Sequence, residues 1–203
     1  TVMTMLQSAP AATASEAQRL LMRKLLLTAA PPPSGPAEMS FNALRLTKLL
    51  DAGLTDDAAD LALKMDAPMS AEILHAQADA LVLAGRPEMC GDITKNRFDS
   101  AEPFWAELRA YCYAIAGDTA ALDLTRSVID DQGITDPAFL ILLDGMVAGK
   151  GTAPEVIHLP DSVQLTMLQK LKLPIPAGME YIPGREYIAP FWLNPMSIFI
   201  ACS

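Results

Sequence analysis

The residues able to do chemistry in this chain are two histidines, three cysteines and two adjacent acidic pairs, and their spacing decides what is open to them. Neither His75 nor His158 has a second histidine or a cysteine at metal-ligand spacing. Cys112 stands between Tyr111 and Tyr113 with no basic partner beside it to activate a thiolate, which fits an inert thiol or half of a disulfide. Asp56-Asp57 falls where a helix should begin, and carboxylates there serve the helix dipole. Asp130-Asp131 precedes Gln132-Gly133 in a solvated turn, and neither pair has the oxygen-ligand and glycine alternation of a calcium loop. Gly149-Lys150-Gly151-Thr152 lacks the preceding strand and the full glycine spacing of a phosphate-binding loop. The reading is of a non-enzyme with no catalytic residue, metal or cofactor.

The elements that position these residues follow a period. Ala-Gly pairs occur at Ala52-Gly53, Ala84-Gly85, Ala116-Gly117 and Ala148-Gly149, each 32 residues after the last. A fixed interval of this length is the signature of stacked helical hairpins, because one hairpin cannot bury its apolar stripe alone. Each glycine suits the left-handed position after a helix C-terminus. Ser70 and Asp136-Pro137 read as helix starts, as do Asp118 and either Thr55 or Asp56 for second helices, and Pro87 suits a first helical turn. Apolar residues recur at three- and four-residue steps, as in Phe41, Leu44, Leu46, Leu49, Leu50 and in Trp105, Leu108, Cys112, Ile115. The fourth block has no second helix at the expected place: Lys150–Pro154 reads as a loop, with a short helix over 162–172. The expectation is an all-α fold, an α-solenoid of about four hairpins.

The third block, with Trp105, Leu108, the Gly117-Asp118 turn and Ala121, resembles the tetratricopeptide family over residues 38–149 of the chain. Arg109 stands where that family prefers a small residue. The resemblance implies a superhelix whose first helices line a concave, partner-binding groove. The chain also resembles uncharacterised exported helical proteins of alphaproteobacteria rich in Ala and Pro, which implies nothing about activity. Phe104, Arg109 and Tyr113 are the groove candidates, since arginine and aromatic side chains dominate binding hot spots. Trp105 and Leu108 suit the core between repeats.

Residues 1–37 form an N-terminal segment. In it Thr1–Thr13 reads as irregular, Ser15–Thr28 as an amphipathic capping helix opened by a Ser15-x-x-Gln18 box, and Pro31–Pro36 as a stiff linker. Residues 38–173 form the repeat domain, and 174–203 an extended, aromatic, proline-containing tail. The stretch Met179–Ser203 holds three prolines, two tyrosines, two phenylalanines and a tryptophan, and the prolines break any membrane-spanning run. Tyr187, Phe191 and Trp192 are its candidate anchors on a partner.

Cys90 and Cys112 lie 11 residues on either side of residue 101, the expected turn between antiparallel helices. They face one another in that register, either as a disulfide or as two small core residues. With Lys+Arg 15 against Asp+Glu 24 the net charge is −9, which argues against nucleic acid and against an anionic membrane. Any membrane association is then expected through partners alone. The functional expectation is a protein-interaction scaffold in a cell-envelope assembly, periplasmic or otherwise extracytoplasmic. The alternative is a small-molecule or peptide-binding module with a pocket between repeats and tail.

Overall fold

The computed structural model describes residues 2–9, 16–28, 40–65, 70–91, 102–133, 136–158 and 160–176. All regular structure among them is helical. The helices are α1 (Val2–Ser8), α2 (Glu16–Leu27), α3 (Phe41–Asp51), α4 (Thr55–Ala62) and α5 (Ala71–Leu83). A 3-10 turn over Pro87–Cys90 follows, then α6 (Pro103–Ala116), α7 (Thr119–Asp131), α8 (Pro137–Ala148) and α9 (Ser162–Lys170). The chain divides into two compact units, with the boundary between Ala84 and Gly85, inside the stretch 38–173. Ser15, the Pro31–Pro36 linker, the continuation of the second block past Gly91 and the tail beyond Pro176 lie outside the described residues.

Most helix ends follow from local chemistry. Ser40, Ser70, Asp118 and Asp136 each accept a backbone N–H from the first turn of α3, α5, α7 and α8. Pro103 and Pro137 open α6 and α8, where a missing N–H costs nothing. The four period glycines, Gly53, Gly85, Gly117 and Gly149, have φ of 70°, 65°, 69° and 67°. At Gly53 the amides of Gly53 and Leu54 turn back to Leu50 and Leu49 (2.8 and 2.9 Å), and Gly117 and Asp118 repeat the arrangement. This double bond satisfies carbonyls that a helix end would leave orphaned.

Three expectations are corrected. Residues 2–8 are helical rather than irregular, because Met3 and Leu6, three apart, bury on one side. The cap of α4 is Leu54, with no side-chain hydrogen bond; Thr55 and Asp56 lie inside the helix. Asp57 instead accepts two bonds from Arg23 of α2, at 2.5 and 2.7 Å. The helical start expected at Pro87 is a 3-10 turn over Pro87–Cys90, which Pro87 begins.

In the first unit α3 packs against α2, α4 and α5, and α4 packs against α5. Helix α3 thus meets its own second helix, α4, and the next first helix, α5. In the second unit α6 packs against α7, α8, α9 and the 3-10 turn, and α8 packs against α9. One column of the period marks the core: Leu46, Ala78, Ala110 and Leu142, successive members 32 apart, are each fully buried.

Gly145 lies inside α8 where the following loop crosses it. A Cβ there would stand 3.0 Å from Leu171 Cδ1 and 3.2 Å from the Gly151 Cα. Helix propensity alone favours Gly→Ala by up to about 1 kcal/mol. Contact with backbone reverses the sign, since overpacking costs roughly 1–3 kcal/mol. Gly145→Ala is therefore expected to lower the midpoint of urea unfolding, whereas a rise would show that the loop yields freely.

Candidate functional site

Three buried polar side chains of the repeats, Arg45, Gln77 and Arg109, share a register. Arg45 of α3 donates through Nε to the Leu26 carbonyl at 2.6 Å, at the C-terminal end of α2. Thirty-two residues on, Gln77 of α5 donates through Nε2 to the Ala62 carbonyl, also at 2.6 Å, at the C-terminal end of α4. Each holds the terminal carbonyls of the preceding helix, groups that must find donors when buried. Arg109 of α6 is the next residue in this register and is likewise buried, 5 % exposed. Lys48 adds a parallel contact, donating from Nζ to the Ala9 carbonyl at 2.9 Å, just past the end of α1. Burial lowers the guanidinium pKa of Arg45, a charge set against the negative end of a helix.

This register changes the reading of the groove residues. Arg109 occupies the helix position of the buried polar column. Phe104 is buried too, at 6 % exposure, and packs edge-on against Trp105 with ring centroids 5.1 Å apart. Its ring contributes to the core of α6 rather than to a surface. Tyr113 is half-buried. Tyr187, Phe191 and Trp192 lie outside the described residues.

Exposed apolar surface lies elsewhere. On α2, Leu26 is buried while Leu20, Leu21 and Leu25 are 49, 67 and 58 % exposed. Leu21 and Leu25 are one turn apart, so they form an exposed stripe to one side of the buried Leu26. Leu124 on α7 is 67 % exposed. The sequence reading took this segment as an amphipathic capping helix and named no exposed apolar face on it. The number of leucines, too many for one buried face, was the available signal.

Cys90 on the 3-10 turn and Cys112 on α6 are joined by a disulfide, with Cα atoms 5.5 Å apart and a sequence separation of 22. Beside it, Tyr111 is fully buried, its hydroxyl lacks a hydrogen-bond partner among the described residues, and burial pushes its pKa upward. His75 Nε2 lies 3.7 Å from Asp79 Oδ2 one turn along α5, and His158 is exposed on the loop before α9. Among the described residues no three His, Cys, Asp or Glu side chains are arranged to hold a metal ion.

A second polar cluster was not foreseen. Asp136 and Asp161 cap α8 and α9, and Gln164 joins them by donating from Nε2 to Asp136 Oδ2 at 2.6 Å. Glu107 of α6 is buried, 6 % exposed. Burial first, then the charges of Asp161 and Asp136, push its pKa up to about 9.

These features define an all-helical protein with buried helix-end clamps, a disulfide and exposed apolar helix faces. No known family model, no characterised protein and no solved structure matches the chain. Among the described residues no helix is long and apolar enough to cross a membrane.

Proposed function

We propose that this chain is a non-enzymatic protein-interaction scaffold, a helical-hairpin repeat of the solenoid kind working in an extracytoplasmic assembly. The observation that carries the reading is the shared period. Glycines 32 residues apart close successive first helices with the same left-handed geometry, and residues 32 apart bury alike and clamp alike. Repeats of this kind work by presenting surface to other proteins. The tetratricopeptide resemblance over 38–149 points the same way.

The apolar stripe of α2 and the tail are the surfaces assigned to binding. Leucines standing in solvent on an otherwise packed helix suit a helix-in-groove or groove-on-helix contact. Tyr113 remains a contributor, while Phe104 and Arg109 act structurally. The disulfide between Cys90 and Cys112 supports an oxidising compartment such as the periplasm.

Deleting Gly178–Ser203 tests the reading. The shortened chain is expected to keep its helical circular dichroism and to leave the native assembly on size separation of a gentle extract. Retention of the same large species by a folded, shortened chain would remove the tail from the binding role.

A further inference from the structure

We infer that α2 of one copy docks on α7 of a second copy of this chain, leucines against leucine and cations against aspartates. The inference rests on the reading of α2 as a contact surface and names its occupant. Helix α2 is a basic helix in an acidic chain: Arg19, Arg23 and Lys24 stand against Glu16 within it, while the whole chain carries −9. Arg23 is held by Asp57 of its own chain. Arg19 and Lys24 are exposed and form no ion pair among the described residues.

Lys24 stands on the apolar face itself. It lies four residues after Leu20 and three after Leu21, so it shares their side of the helix, and Leu25 continues the line from Leu21. The three leucines are each at least 49 % exposed. A run of this kind, unlike a single surface leucine, marks a contact surface. The cation within it selects an acidic occupant.

Helix α7 has the matching chemistry. Leu122, Thr125 and Ile129, at steps of three and four, bury its inner face. Its outer face carries Leu124, 67 % exposed and the most exposed large apolar side chain described in the second unit. Ala120 and Ser127, one turn to either side, are small and exposed, which leaves grooves for incoming leucines. Asp123, Asp130 and Asp131 border this line, exposed and without an ion pair among the described residues. Arg126, the cation of α7, is turned away to Asp144 of α8 at 2.6 Å. Helix α4 has exposed carboxylates but no exposed large apolar side chain, and Asp144 of α8 is taken by Arg126.

Two helix faces of about three turns each form a contact below the ~1,200 Å² of stable interfaces, so the association is weak, about micromolar or weaker. The two surfaces differ, so the contact is heterologous: made twice it closes a dimer, made once it continues as an open chain. Either arrangement raises the mean mass with concentration. A charge of −9 on each copy opposes approach, so the contact forms only where opposite charges are locally apposed.

Sedimentation velocity of the intact, oxidised chain between about 10 and about 500 µM, in about 0.15 M salt where net-charge repulsion is screened beyond ~8 Å, tests the contact. The mean mass should rise with concentration. A mass that dilution leaves unchanged would overturn the inference, while the tail-deletion test of the scaffold reading would stand untouched. Arg19→Glu with Lys24→Glu should weaken self-association at least about tenfold, as should Asp123→Lys with Asp130→Lys, because each sets like charges face to face. An equimolar mixture of the two variants brings opposite charges together again and should associate as the wild type does. Wild-type self-association by either variant alone, or no recovery in the mixture, would overturn the inference. Zero-length carbodiimide coupling between isotope-labelled and unlabelled wild-type copies needs no substitution. It should join Lys24 of one copy to an aspartate of α7 in the other, and absence of that product would overturn the inference as well.

Discussion

Replacing Trp105 by alanine is expected to cost about 3–5 kcal/mol, the largest loss open to a single side chain in the second unit. Trp105 is fully buried on α6, the helix that packs against α7, α8, α9 and the 3-10 turn. Its indole Nε1 donates to Glu102 Oε2 at 2.9 Å, so the polar edge is satisfied while the ring fills the core. Truncation leaves a cavity of indole size and removes the edge-on partner of Phe104. A domain of ordinary stability holds only about 5–15 kcal/mol, so the variant should unfold at a far lower urea concentration. Far-UV circular dichroism would follow the change. A loss below about 1 kcal/mol would mean that α6 is not the packing centre of its unit.

Opening the disulfide should rank next. It closes a loop with a sequence separation of 22, for which loop entropy in the unfolded chain gives about 3 kcal/mol. The double variant Cys90→Ser, Cys112→Ser is expected to unfold earlier by about this amount. The effect should be concentrated in the 3-10 turn, because Pro87–Cys90 is short and packs on α6. Buried Met89, 1 % exposed, is its other hold on the core. Unfolding of wild type with and without a reductant checks the same quantity without substitution. Identical curves would show that the bond contributes nothing to the folded unit.

The fold was legible where local chemistry decides an element. Asp118 and Asp136 each had a favourable cap position, and the period glycines had no cheaper conformation than the left-handed one they adopt. The start of α4 was less legible, because Thr55, Asp56 and Asp57 are all capable caps. The choice fell to a tertiary contact: Asp57 faces Arg23 of α2, and the helix begins two residues earlier than a side-chain cap on Asp56 would allow. Helix α1 was hidden by its length, seven residues whose stability comes from burying Met3 and Leu6 rather than from propensity.

The site was harder to read than the fold. Arg109 carries the residue type of a hot spot, but its register with Arg45 and Gln77 places it in the core. That register was present in the spacing, disguised because arginine and glutamine alternate in one role. Glu107, Asp136 and Asp161 are separated by 29 and 25 residues, and no local pattern joins them. Only packing brings the starts of α8 and α9 to the side of α6. Opposite-sign charges are readily anticipated from sequence, whereas like charges brought together by packing are not.

Photo-crosslinking in cells from positions 21 and 25 of α2 tests the scaffold reading most directly. A photoreactive leucine analogue at either site should capture one protein in stoichiometric yield, and Leu21→Glu with Leu25→Glu should abolish capture while helicity persists. Recovery of the folded chain alone from both positions, and from Tyr113 and the tail, would contradict a scaffold.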